Sequence, residues 1–122
     1  MSKIPNISGM TPTQQVRYAI LCAWEVCDDA HWREWAQGWL NGGDRSARAA
    51  KAEAAAMGAA WAAMGADAAT AAEWAATRAA ARAATTEAKA AAEWAGKYAQ
   101  KADPSIDLSA LARRAITEEK AQ

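Results

Sequence analysis

HWREWAQGWLNGGDRSARAAKAEAAA, residues 31–56, decides how the rest of the chain is read. Trp32, Trp35, Ala36 and Trp39 fall at i, i+3, i+4 and i+7, which is one face of one α-helix, and a face of three indoles has to be covered. Asn41 and Gly42 then predict a helix stop, because glycine and, less often, asparagine enter the left-handed region with little strain. Asp44 suits the N-cap of a following helix, whose first two turns carry Arg45, Arg48 and Lys51. With Arg33 from the helix before, four cations flank the tryptophan face and its corner.

The chain of 122 residues is read as one domain over 1–122, with 14 basic and 14 acidic side chains. That balance gives no net field to draw it to a nucleic acid polymer or a membrane. Of the 52% hydrophobic residues, 38 are alanine, against 11 Ile, Leu and Val together and no Phe. Burying alanine removes little apolar area from water, so the core of a single copy is thin. Alanine is also the best helix former. Together these predict an all-α fold, an alanine-rich helical bundle that self-associates as a homo-oligomer. Cys22 and Cys27 lie too far round one helix to bridge, and read as reduced. With no basic-then-apolar leader and no long strongly apolar run, the expectation is a cytoplasmic protein.

Taken in order, residues 1–12 read as an irregular arm that Ile4, Ile7 and Met10 can pin. Thr11 as N-cap and Pro12 at the first helical position open a helix over 12–28, with Val16, Ala19, Ile20, Ala23 and Cys27 as its apolar stripe. Asp28 or Asp29 caps the tryptophan helix, 30–41. The alanine helix follows over 45–64, with Met57, Trp61 and Met64 on one face, and a turn at 65–67. Helical sequence resumes over 67–102 and contains a local echo, AAEWAATRAA at 71–80 and AAEWAGKYAQ at 91–100. One straight helix would point Trp74 and Trp94 in nearly opposite directions, whereas a break near 85, at Thr85-Thr86, lets both face one core. Asp103-Pro104 ends the run. A last helix over 105–120 buries Leu108, Leu111, Ala112, Ala115 and Ile116, and its tail, 118–122, should fray.

Catalysis needs a positioned acid, base, nucleophile or metal, and the inventory is poor. His31 is the single histidine and makes no zinc spacing with Cys22 and Cys27. No phosphate-binding glycine loop is present. The chain therefore reads as no enzyme, with no cofactor. The tryptophan face is either plain core or a place where Trp35 or Trp39 stacks on a flat ligand. Arg33, Arg45, Arg48 and Lys51 are either surface cations or a phosphate site at a helix N-terminus, with Asp44 capping that helix or taking a ribose hydroxyl. Arg78 and Arg82, one turn apart above Trp74, form a second cationic line, which copies in a symmetric bundle could bring together.

The order W-x2-W-x3-W-L-x-G-x-D-R-S-x-x-A-A, carried by Trp32, Trp35, Trp39, Leu40, Gly42, Asp44, Arg45, Ser46, Ala49 and Ala50, resembles a pattern in small alanine-rich proteins of tailed phages. The same corner, followed by alanine helices ending in Tyr98, Ala99, Lys101 and Ala102, is also similar to a family of bacterial immunity proteins. The resemblances span roughly residues 16–102 and supply no catalytic residues. The phage resemblance implies a non-catalytic sponge that sequesters a small anionic nucleotide signal of host defence, of cyclic nucleotide or ADP-ribose type. The immunity resemblance implies an inhibitor that binds a toxin or defence effector directly. A third implied role is a structural phage component that only oligomerises.

Overall fold

The computed structural model describes residues 5–27, 29–43, 45–46, 68–81 and 87–121. Five helices lie among the described residues: α1 (Pro12–Trp24), α2 (Ala30–Leu40), α3 (Ala68–Ala81), α4 (Glu87–Ala102) and α5 (Leu108–Ala121). No strand occurs among them, and none of these helices is long and apolar enough to cross a membrane. The all-α reading therefore holds for what is described. The predicted alanine helix beyond residue 46, the turn at 65–67, Ile4, and the Thr85-Thr86 break itself lie outside the described residues.

α1 is the hub. It packs against each of the other four helices, while α3 and α4 pack extensively on each other. Its start follows the sequence closely: the Thr11 hydroxyl accepts from Gln14 N at 3.1 Å and the Gln14 carboxamide accepts from Thr11 N at 2.9 Å, with Pro12 behind the cap. The arm is pinned as expected, since Ile7 and Met10 are buried and Gln15 Nε2 donates to the Ile7 carbonyl at 3.0 Å. The stripe read along α1 is too narrow, however. Every residue from Gln14 to Ala23 is buried, because neighbours close on it from several sides.

α1 also stops at Trp24, short of the expected 28. The Arg33 guanidinium explains this: it donates to the carbonyls of Trp24 and Cys27, both at 2.9 Å, and so replaces the next turn of the helix as their partner. Asp29 then caps α2, accepting from His31 N and Trp32 N. At the far end Gly42 has φ +81°, Gly43 N donates to Gly38 O at 2.8 Å and Gly42 N to Trp39 O at 3.2 Å. Those two bonds are the paired 6→1 and 5→2 pattern of a Schellman stop.

Within the stretch expected over 67–102, the described residues form two helices, α3 and α4, that pack along each other. Ala72, Ala76 and Ala79 of α3 and Ala92, Ala95 and Ala99 of α4 are fully buried. The expected common core for Trp74 and Trp94 does not form. Trp74 is half-buried, and Trp94 is 51% exposed because it lies on the face of α4 opposite the buried alanines. Gly96 marks a close approach, where α4 crosses α1 against the Tyr18 hydroxyl. A methyl there would meet that hydroxyl, so Gly96→Ala is expected to cost about 1–3 kcal/mol, read as a lower urea midpoint with an unchanged slope.

After Asp103-Pro104, Asp107 caps α5 by accepting from Ala110 N at 3.1 Å, and Leu108, Leu111, Ala112 and Ala115 are buried, with Ile116 half-buried. The tail over 118–122 was expected to fray; among the described residues α5 runs to Ala121, and Glu119 is held by Arg17 at 3.1 Å and Arg45 at 3.5 Å.

Candidate functional site

Two places on the described surface have the makings of a site: the tryptophan corner with the cleft beside it, and the outer face of α4. At the corner, the sequence pointed to guanidinium groups converging beside indoles. The structure brings Arg33, Arg45 and Arg78 each onto an indole. Arg45 lies 4.2 Å above the Trp39 ring, Arg33 4.4 Å above Trp24, and Arg78 4.5 Å above Trp74. It does not bring Arg33 and Arg45 to one point. Arg33 ties the C-terminal end of α1 by donating to Trp24 O and Cys27 O, whereas Arg45 closes the C-terminal end of α2 by donating to Trp39 O at 2.8 Å and Leu40 O at 3.4 Å. The eleven helical residues of α2 correspond to about 16 Å.

Both arginines are thus ties for helix ends. A helix leaves its last carbonyls without partners inside the helix, and these side chains fill that role. Arg45 and Ser46 are not helical, which corrects the expected start of a helix at 45; Arg45 instead reaches back over the corner it follows. The indoles are mostly enclosed: Trp32 and Trp39 are 0% and 3% exposed, and Trp35 is half-buried with its Nε1–H buried and unpartnered. Asp44, Arg48, Lys51 and Arg82 lie outside the described residues.

Behind the corner runs a buried polar chain that gives α2 its seat on α3. Trp32 Nε1 donates to the Thr77 hydroxyl at 2.8 Å, and that hydroxyl donates to the Glu73 carbonyl at 2.8 Å. The Glu73 side chain is buried too, and hydrogen-bonds the Cys27 thiol. Both cysteines are free. Burial, then the Glu73 bond, pushes the Cys27 thiol up to about 12, and burial likewise pushes Cys22, which hydrogen-bonds Tyr18, up to about 12. Neither is a nucleophile at neutral pH, so alkylation by iodoacetamide at pH 8 is expected only on unfolding. The same shifts link stability to pH. Above the ordinary thiol value of 9.0 the unfolded chain gives up protons that the folded chain keeps. Stability therefore falls as pH rises from 9 toward 12, by up to about 1.4 kcal/mol per pH unit for each thiol, which urea midpoints at stepped pH will read.

Beside the corner, α1, α2 and α5 frame a cleft of about 490 Å³. Its walls combine Leu21, Leu40 and the Trp24 indole with the Gln37 and Asn41 amides, the guanidinium groups of Arg17 and Arg114, and the carboxylates of Glu25 and Glu118. Sequence reading missed Arg17, whose side chain is only 3% exposed. Its one signal was a charge set in the most apolar part of α1. The cleft's cations are already matched: Glu118 lies 3.0 Å from Arg114 Nη2 and 3.6 Å from Arg17 Nη1. Among the described residues, no three His, Cys, Asp or Glu side chains cluster to hold a metal ion.

The outer face of α4 is different in kind. Trp94 is stacked on Tyr98, ring centroids 5.4 Å apart and planes 26° apart, and the Lys97 ammonium lies 5.0 Å from the Trp94 centroid. Lys101 follows on the same side, exposed. Trp94 was legible only as one half of the sequence echo, with a break near 85 expected to turn it toward a core shared with Trp74. Comparison with protein-family models, with curated proteins and with solved structures finds no match for this chain.

Proposed function

We propose that this chain is a non-catalytic binding protein that works by direct protein contact, an inhibitor of the immunity kind that occupies a toxin or defence effector in the cytoplasm. The observation that carries the reading is Trp94, 51% exposed, the large hydrophobic side chain that the described structure leaves open to solvent. An indole in water contributes nothing to the fold. In a contact it supplies large apolar area at little entropic cost, which is why tryptophan is enriched among the residues that dominate binding. The inventory of reactive groups supports the same reading, since both thiols are buried and held protonated.

A second reading is capture of a small anionic nucleotide, and the cleft favours it. About 490 Å³ lies within the usual range for small-ligand pockets, and Trp24 with Arg17 and Arg114 offers a ring and two guanidinium groups. Here the anionic guest has to displace Glu118 from both arginines, a competition that the outer face of α4 does not impose. Self-association, with the Arg78 line shared between copies, belongs to this second reading.

Native mass spectrometry of the chain purified from its own host separates the two. A copurifying polypeptide that is lost in Trp94→Ala supports the protein-contact reading. A bound mass of a few hundred daltons that survives Trp94→Ala and is lost in Arg114→Ala overturns it in favour of nucleotide capture. Trp94→Ala itself is expected to cost about 1 kcal/mol of folding stability, because half of the residue is already in water and the main loss is its stack on Tyr98.

A further inference from the structure

We infer that the partner presents an acidic surface to α4, an inference that rests on the protein-contact reading. Ala90, Trp94, Lys97 and Lys101 are all exposed and recur at i, i+4, i+7 and i+11, a single stripe down the helix. The opposite face is the buried one, with Ala92, Ala95 and Ala99 in the core and Gly96 against Tyr18. The stripe therefore faces away from the bundle. From Ala90 to Lys101 it carries two lysines and no acid, and Glu87 stands one turn before Ala90. Lys89 and Glu93, at its near end, hold each other at 3.3 Å and cancel.

Charge complementarity selects the partner. An apolar centre flanked by two ammonium groups fits a surface that offers an apolar side chain between carboxylates. A polynucleotide fits less well. Eleven residues of helix span about 16 Å, over which a strand carries about five phosphates against two lysines. The Trp94 ring is also engaged already by Tyr98 and by the Lys97 ammonium, so it makes a poor platform for a base.

The test uses a fluorescein-labelled amphipathic peptide of Glu-Glu-Leu-Ala repeats, the same peptide with Lys for Glu, and oligothymidylate, each titrated against the full chain by fluorescence anisotropy. Saturable binding of the acidic peptide is expected, weakened about tenfold or more in Trp94→Ala and in the double variant Lys97→Glu, Lys101→Glu. Both variants change exposed side chains, and far-UV circular dichroism establishes that each remains folded. Equal binding of the lysine peptide, tighter binding of oligothymidylate, or no saturable binding overturns the inference. Self-association lost in Trp94→Ala, read by sedimentation, also overturns it, since a second copy then covers the stripe. Failure here, alongside a polypeptide that copurifies and is lost in Trp94→Ala, sinks the acidic partner and leaves the protein-contact reading standing.

Discussion

Trp32→Ala is expected to leave most of the chain unfolded at 25 °C. Trp32 is fully buried, 6.4 Å from the Trp24 ring and 6.1 Å from Trp35, and its Nε1–H is the hydrogen bond that docks α2 on Thr77 of α3. Truncating a buried tryptophan costs about 3–5 kcal/mol, and the Thr77 hydroxyl loses its indole donor as well. Whole domains are stable by about 5–15 kcal/mol, and a core built mainly of alanine methyls belongs near the bottom of that range. Trp32→Phe separates the two contributions. It keeps most of the ring and removes the donor, so a smaller loss of about 1–3 kcal/mol is expected. Urea titrations followed by circular dichroism will measure both. A Trp32→Ala chain that melts within a few degrees of the parent would mean that α2 is not seated as described.

Arg17→Met is the second large effect. The Arg17 side chain is 3% exposed, yet it carries a full charge, met by Glu119 at 3.1 Å, Glu118 at 3.6 Å and the Leu40 carbonyl at 3.0 Å. One side chain therefore joins the hub helix to the end of α2 and the end of α5. Removing one partner of a buried pair costs about 3–5 kcal/mol; Glu118 and Glu119 are partly exposed, which places this case near the lower end. Adding Glu119→Leu to Arg17→Met is expected to recover part of the loss, since an apolar pair leaves fewer charges stranded. Salt gives the sharpest test. A tie buried at the arginine should survive about 1 M NaCl, whereas the exposed Arg114–Glu118 pair should not. Should salt alone lower the parent's melting temperature as far as Arg17→Met does, the tie is an ordinary surface pair.

Much of the fold was legible because it is written in local chemistry. Thr11-Pro12, Asp29 before the tryptophan helix, Gly42 after it and Asp103-Pro104 each fix a helix boundary within a few residues, through bonds that close inside one turn. The functional reading was less legible at the corner. Arg33, read beside the Trp32, Trp35 and Trp39 face, lies instead on Trp24, and Arg45 lies on Trp39; a guanidinium that can bind phosphate binds a helix-end carbonyl equally well, and only three dimensions show which acceptor is in reach. Trp94 was read toward a core shared with Trp74 across a break near 85, and it lies instead on the outer face of α4. Which face of α4 meets the bundle depends on its packing against α1 and α3, which no local pattern encodes.

The sequence by itself determined the helical class, the caps and stops, and the scarcity of reactive groups, because propensity, capping and composition act within a few residues of chain. The tertiary structure alone decided which helix sits at the centre, that Arg17 is buried among carboxylates from the far end of the chain, and that Trp94 and its lysines face solvent. Those outcomes follow from which face of α4 meets the bundle and from an ion pair spanning residues 17 to 119, and both depend on where distant segments meet.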